Sequence, residues 1–243
     1  MNFTFLINKN LNLTIEFDIL PCRYEVNIAN SVLFDNLSLE GHDEVLPGRL
    51  FTTRMPRDLS TNPASAEKFK EKVRLNNLKT VLILTETQEY QKYAHTDLEA
   101  FYTSIGLEII HRPIPDFSIP DQSDMIENIK DLTFRLSEGN ACLVHCAGGN
   151  GRTGMVIAGV VKNVGIKDPI AWIRRFKTVY VETVAQENFV NSLPMVLDER
   201  ISRKHPVLAK AIAAERIIDT ALSGKFKANN SEHFTTTEQH TAD

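Results

Sequence analysis

Residues 141–154 read ACLVHCAGGNGRTG, and this stretch carries both the fold and the chemistry expected of the chain. The apolar run Ala141–His145 has the pattern of a strand buried on both faces. It leads into three glycines, Gly148, Gly149 and Gly151, and then into a helix expected over Arg152–Val164. Glycine lacks Cβ and tolerates positive φ, so the N–H groups of such a loop can turn inward as an anion nest. The helix start adds the positive end of its dipole. Arg152 adds a planar fork that matches two oxygens of a phosphate. A nucleotide-binding loop would instead need Lys followed by Ser or Thr after its last glycine, and Arg152-Thr153 does not supply that pair.

Outward from this loop, apolar strands and helices alternate. Helices are expected at Ala64–Asn76, Glu89–Ser104, Asp124–Ser137 and Pro169–Lys177, and strands at Arg49–Thr53, Thr80–Leu84 and Leu107–Arg112. Strands without a polar face, separated by helices, predict an α/β fold whose central, mostly parallel sheet is covered by helices on both faces. Phe3, Phe5 and Ile7 alternate with polar residues, as do Leu11 to Ile19, around the turn Asn8-Lys9-Asn10. This predicts a β-hairpin and an antiparallel edge for the sheet. The expected organisation is an N-terminal hairpin extension packed on the core (1–43), the core (44–192), C-terminal helices (193–224) and a disordered tail (225–243). The tail is poor in apolar residues and rich in Asn, Thr, Glu and His.

Bulk properties narrow the function classes. Of 243 residues, 42% are hydrophobic and 24% charged, with net charge −4; this is globular composition without the basic excess of a nucleic-acid binder. The N-terminal segment does not read as a signal peptide, and no apolar run is long enough to span a membrane. Three cysteines, Cys22, Cys142 and Cys146, make neither a disulfide framework nor a zinc ligand set. A soluble protein of a reducing, cytoplasmic compartment is expected, where a thiol can serve as a catalyst.

Cys146 lies at the base of the nest, and the field that attracts phosphate also favours a thiolate. It is therefore expected to act as a nucleophile without an adjacent general base. Ala147, Gly148, Gly149, Asn150, Gly151 and Arg152 are the phosphate-binding candidates. His145 is expected to orient the loop through a backbone hydrogen bond, and Thr153 to place its hydroxyl on the thiolate. Cys142 lies four residues up the same strand, ~13 Å away at ~3.3 Å per residue. A disulfide needs Cα atoms within ~7 Å, so Cys142 is a packing residue. Arg49, Arg54 and Arg57 read as a solvated basic face.

The order His-Cys, five residues, Arg-Thr-Gly resembles the signature of the protein-tyrosine and dual-specificity phosphatase superfamily. LeuProGlyArgLeu (46–50), the TVLIL strand (80–84), HisArgProIleProAsp (111–116) and GluThrValAlaGln (182–186) follow the dual-specificity order. They are most similar to the cyclin-dependent-kinase-associated phosphatase subfamily. The resemblance covers about residues 44–192. It implies that Asp116, in a proline-bracketed loop thirty residues before Cys146, is the general acid. Asp121 is the runner-up and otherwise a helix cap. It also implies that Gln186 orients the hydrolytic water. The implied activity is hydrolysis of phosphate monoesters through a cysteinyl-phosphate intermediate, on a phosphorylated protein carrying phosphotyrosine and in some cases phosphoserine or phosphothreonine. No metal or organic cofactor is implied, because thiolate, arginine and aspartate supply the whole reaction.

Two other functions compete. A phosphoinositide or inositol-phosphate phosphatase would be expected to carry lysines within the loop, whereas residues 147–151 are neutral. A non-catalytic phosphopeptide-binding module would be expected to lack the cysteine, the arginine or the acid, and all three are present. A rhodanese-like sulfur carrier ranks last, since it needs neither Arg-Thr-Gly nor an upstream acid.

Overall fold

The computed structural model describes residues 46–57, 59–196 and 198–204, positions 206 and 210, and three short strand segments before them. In chain order these strands are β1 (Leu6–Ile7), β2 (Leu13–Thr14) and β3 (Asp35–Leu37). The core follows with β4 (Arg49–Arg54), α1 (Pro63–Leu75), β5 (Leu78–Ile83), α2 (Thr87–Ala94), α3 (Leu98–Ser104) and β6 (Glu108–His111). It continues with α4 (Gln122–Ser137), β7 (Ala141–Cys146), α5 (Gly151–Asn163), α6 (Pro169–Arg174), α7 (Val184–Ser192) and α8 (Glu199–Lys204).

The sheet order is β3-β4-β7-β5-β6, with β7 at the centre. Strands β4, β7, β5 and β6 run parallel, and β3 pairs antiparallel with β4. The α/β architecture expected from the sequence is therefore present. Every residue of β7 is buried, and its side chains alternate between two cores. Cys142, Val144 and Cys146 join the core shared with α4, α5, α6 and α7. Ala141 and Leu143 join the other, with Phe69 of α1, Tyr90 of α2 and Tyr102 of α3. A parallel strand covered on both faces has no polar side, which is why its sequence reads as continuously apolar.

Two expectations are corrected. The hairpin strands β1 and β2 do pair, Leu6 opposite Thr14, but as a separate two-stranded sheet; β3 supplies the antiparallel edge instead. The single helix expected over Glu89–Ser104 is two. His95 takes a left-handed conformation (φ 50°) at the end of α2, and the Asp97 carboxylate accepts the N–H of Ala100 to start α3. An Asp that caps a new helix start competes with continuing the old one. The helix expected within 207–223, the tail, and the packing of the hairpin on the core lie outside the described residues.

Several interior contacts place the loop between β7 and α5. Gly48, in the turn before β4, lies so close to Asn140 and Leu136 that a methyl group would overlap their backbone. Leu84 and Met55 donate their N–H groups to the carbonyls of His145 and Cys146, both at 2.9 Å. The chain leaving β5 and β4 is thereby tied to the end of β7. Among the described residues, no helix is long and apolar enough to cross a membrane.

Candidate active site

Cys146 is the last residue of β7 and is buried. Its Sγ accepts the N–H of Gly149 at 3.2 Å, the first turn of a loop that closes over the thiol. Gly149 has φ +70°, and a methyl group there would also strike the Thr53 carbonyl, so glycine is required twice over. The other two glycines were expected to share this left-handed geometry and do not. Gly151 matters for space instead: a methyl group would lie 2.6 Å from Glu182 Oε2. Ala147 accepts Met55 N–H through its carbonyl. Asn150 precedes α5 as its N-cap residue without a side-chain cap bond, and its Oδ1 is buried without a partner.

Arg152, in the first turn of α5, is almost wholly buried, and its guanidinium is gripped from one side by Glu89 of α2. Nη1 and Nη2 donate to Glu89 Oε1 and Oε2 at 2.6 and 2.8 Å. Nη1 also donates to the Ile114 carbonyl at 2.8 Å, and Nη2 lies 2.8 Å from Asp116 Oδ1. Burial alone would lower the Arg152 pKa, but Glu89, Cys146 and Asp116 outweigh it and raise it. Burial would raise the Glu89 carboxyl, but Arg152 and the Glu86 N–H reverse the sign and hold it below its usual value. That N–H contact is half of a capping box at the start of α2. One side chain thus fixes the helix start and orients the arginine.

His145 is wholly buried on the opposite face of β7. Its Nδ1–H donates to the Cys146 carbonyl at 3.2 Å, and Nε2 accepts from the Tyr102 hydroxyl at 2.9 Å. Burial lowers the imidazole pKa to about 4, with His111 and Arg152 adding repulsion against the opposing Cys146 bond. The Tyr102 hydroxyl is pushed up by its own burial and stays a donor. A neutral His145 therefore fastens the backbone at the nucleophile to α3. Thr153, expected to point its hydroxyl at the thiol, is buried with Oγ1 lacking a hydrogen-bond partner. Burial pushes the Cys142 thiol up to about 12, in keeping with a packing role.

Asp116 lies in the loop between β6 and α4, its side chain 54% exposed, beside Arg152. Its Oδ1 also accepts the N–H of Phe117, which has a left-handed backbone (φ 57°). Asp121 occupies the N-cap position of α4 but makes no side-chain cap bond. Gln186 is buried, and its amide meets backbone groups. Oε1 accepts Glu182 N–H at 3.0 Å and, as half of a capping box at the start of α7, Thr183 N–H at 3.4 Å; Nε2 approaches the Ser118 carbonyl at 3.5 Å. It links α7 to the acid loop through the Ser118 carbonyl.

The site thus brings together Cys146, Arg152 and Asp116. It also contains three residues that the motif does not contain: Glu89, Tyr102 and Glu182. A Glu three residues after Glu86 at a helix start reads as capping chemistry, and nothing local in the sequence ties it to an arginine 63 positions away.

Residues 55–165 match the family model described as "Polymorphic toxin system, DSP-PTPase phosphatase". An uncharacterized protein of Methanocaldococcus jannaschii is 39% identical over 82 residues, 33% of this chain and 52% of its own length. Cyclin-dependent kinase inhibitor 3 of Rattus norvegicus is 30% identical over 92 residues, 38% of this chain and 43% of its own. The chain therefore spans about half the length of the curated relatives it matches. Among solved structures, the active form of Tk-PTP superposes with a TM-score of 0.51 at 27% identity, covering 62% of this chain and 94% of that one. Kinase associated phosphatase, solved with its catalytic-site cysteine replaced by serine, shares the fold with a TM-score of 0.58 at 22% identity, covering 67% and 93%. With Cys146, the glycine loop and Arg152 assembled between β7 and α5, residues 55–165 resemble the phosphatases of the protein-tyrosine and dual-specificity superfamily.

Proposed function

We propose that the chain is a cysteine-dependent phosphatase of the dual-specificity type, acting on phosphorylated protein. The observation that carries this reading is the thiol of Cys146 under the Gly149 N–H, in a loop that ends on a buried, pre-oriented Arg152. The substrate phosphate enters between the loop amides and Arg152 and takes the place of Asp116 as the guanidinium's partner. Glu89 stays bound and keeps the fork in the plane of the incoming oxygens. Cys146 Sγ attacks phosphorus; the S–P bond forms as the P–O bond to the leaving group breaks. Asp116, in its protonated form, gives that oxygen its proton. Water then attacks the cysteinyl phosphate, the S–P bond breaks, the thiolate returns, and Asp116 accepts the water's proton. The loop amides and Arg152 stabilise the charge that builds on the equatorial oxygens in both steps. A nucleophilic thiol needs a reducing compartment, which supports a cytoplasmic setting.

The decisive experiment is turnover of an aryl phosphate and of phosphotyrosyl and phosphothreonyl peptides by the wild-type chain and by Cys146→Ser. Wild-type turnover, with none by the serine variant and retained vanadate binding, is expected. Full activity in Cys146→Ser overturns the mechanism.

A further inference from the structure

The loop preceding α7 is built around a strained residue. Val181 is buried and β-branched yet holds φ +60°, a disfavoured conformation that persists only when its surroundings impose it. Arg174 imposes it from one side: Nε donates to the Tyr180 carbonyl at 3.0 Å, and Nη2 to the Val181 carbonyl at 2.8 Å and to Glu187 at 2.6 Å. The Tyr180 and Thr52 hydroxyls are hydrogen-bonded to each other. Gly154 makes room, since a methyl group there would lie 2.5 Å from Val181 N.

The product of this construction is the position of Glu182. Its Oε2 accepts the Gly151 N–H at 2.9 Å, and its Oε1 accepts from Asn150 Nδ2 at 3.3 Å. Glu182 is also solvent-exposed, so a fixed negative charge lies at the lip of the phosphate loop. Of the nearby cations, Lys177 is bonded to the phosphate loop backbone itself, whereas Arg174 and Arg175 are held by the turn before α7 and by α6. Lys177 Nζ donates to the Gly149 carbonyl at 3.2 Å and covers the Tyr180 ring, Arg175 lies over Trp172, and Arg174 holds the turn. Loop residues 147–151 are neutral. The neighbouring segments carry two exposed apolar side chains: Val184, 71% exposed and two residues after Glu182, and Phe117, 68% exposed on the acid loop that Gln186 ties to α7.

We propose that Glu182 is a specificity-determining residue that turns the site away from substrates carrying a second phosphate beside the scissile one, leaving singly phosphorylated esters with uncharged neighbours as the preferred class. The inference rests on the phosphatase reading. A phosphate bound in the loop brings its neighbours against this carboxylate as water is displaced, where like charges repel most strongly. Rejection by a placed like charge is a recognised route to selectivity.

The test compares competition by inositol hexakisphosphate and by inorganic phosphate against aryl phosphate turnover, in the full chain. In Glu182→Gln the ratio of the two inhibition constants should shift toward the polyphosphate on the order of tenfold, and at least threefold; Glu182→Asp should keep the wild-type ratio. Taking a ratio cancels any loss of loop geometry common to both ligands, and Arg54, exposed at the end of β4, is present throughout. If Glu182→Gln does not fold, Val184→Lys, at an exposed position, should shift the ratio in the same direction. A shift below threefold, or toward inorganic phosphate, overturns the proposal. Failure of wild-type turnover would instead refute the phosphatase reading, and calorimetric titration of the same two ligands would still decide the role of Glu182.

Discussion

Replacing His145 tests the claim that the nucleophile's backbone is held by a neutral, buried imidazole. Its folded-state pKa is about 4, against 6.5 for the ordinary group. The depressed value means that the unfolded chain takes up a proton before the folded one does. The stabilising contribution is therefore complete above pH 6.5, falls as pH drops toward 4, and is lost below that. A separation of 2.5 units, 6.5 − 4, corresponds to roughly 3–4 kcal/mol in the acid limit at ~1.4 kcal/mol per unit. The linkage relation puts on the order of 1 kcal/mol of the loss at pH 5.5 and most of the rest by pH 4.5. Urea unfolding at pH 7.5, 5.5 and 4.5 should show wild type losing that much more than His145→Asn, which cannot titrate. Comparing slopes cancels the carboxylates that both proteins share, as well as the constant cost of losing the Tyr102 bond. Parallel pH profiles for the two proteins would mean that His145 titrates normally, and the neutral-bridge account of the loop would be wrong.

Arg152→Lys exchanges the fork for a point charge and should lower kcat/KM on an aryl phosphate by ~10²–10³ or more. A near wild-type value would reduce Arg152 to a structural helix residue. Glu89→Gln leaves the buried guanidinium without its bidentate partner, so denaturation should show a loss of about 3–5 kcal/mol; phosphate affinity should fall as the fork loses its orientation, and unchanged stability would refute the clamp. Asp116→Ala should lower kcat by ~10²–10⁴ on a phosphate ester with a basic leaving group, and much less when the leaving group departs unprotonated. An equal loss on both esters would remove Asp116 from the role of acid. Asp121→Ala, at a cap position without a cap bond, should alter stability by no more than ~0.5 kcal/mol. A loss above 1 kcal/mol would restore the capping role expected from the sequence.

The amino-acid sequence by itself determined the fold class and the centre of the site, because both are written in contiguous residues. A strand buried on two faces must read as an apolar run, and a loop that wraps an anion before a helix must place its glycines and arginine within a few positions of the cysteine. The resemblance pointed to Asp116 by its place thirty residues before Cys146, and the fold sets that carboxylate beside Arg152. Tertiary structure decided what depends on distant pairs. Glu89 meets Arg152 across 63 positions, Tyr102 meets His145 across 43, and Glu182 meets Gly151 across 31. No local pattern encodes such distances; they follow from the parallel crossovers that bring the C-terminal ends of β4, β7, β5 and β6 to one edge of the sheet. The same reason explains the misread details. Gly151 is needed for the approach of Glu182, not for its own φ. The left-handed turn at His95 and the three-residue strand β3 carry too short a pattern to be seen before their partners are in place.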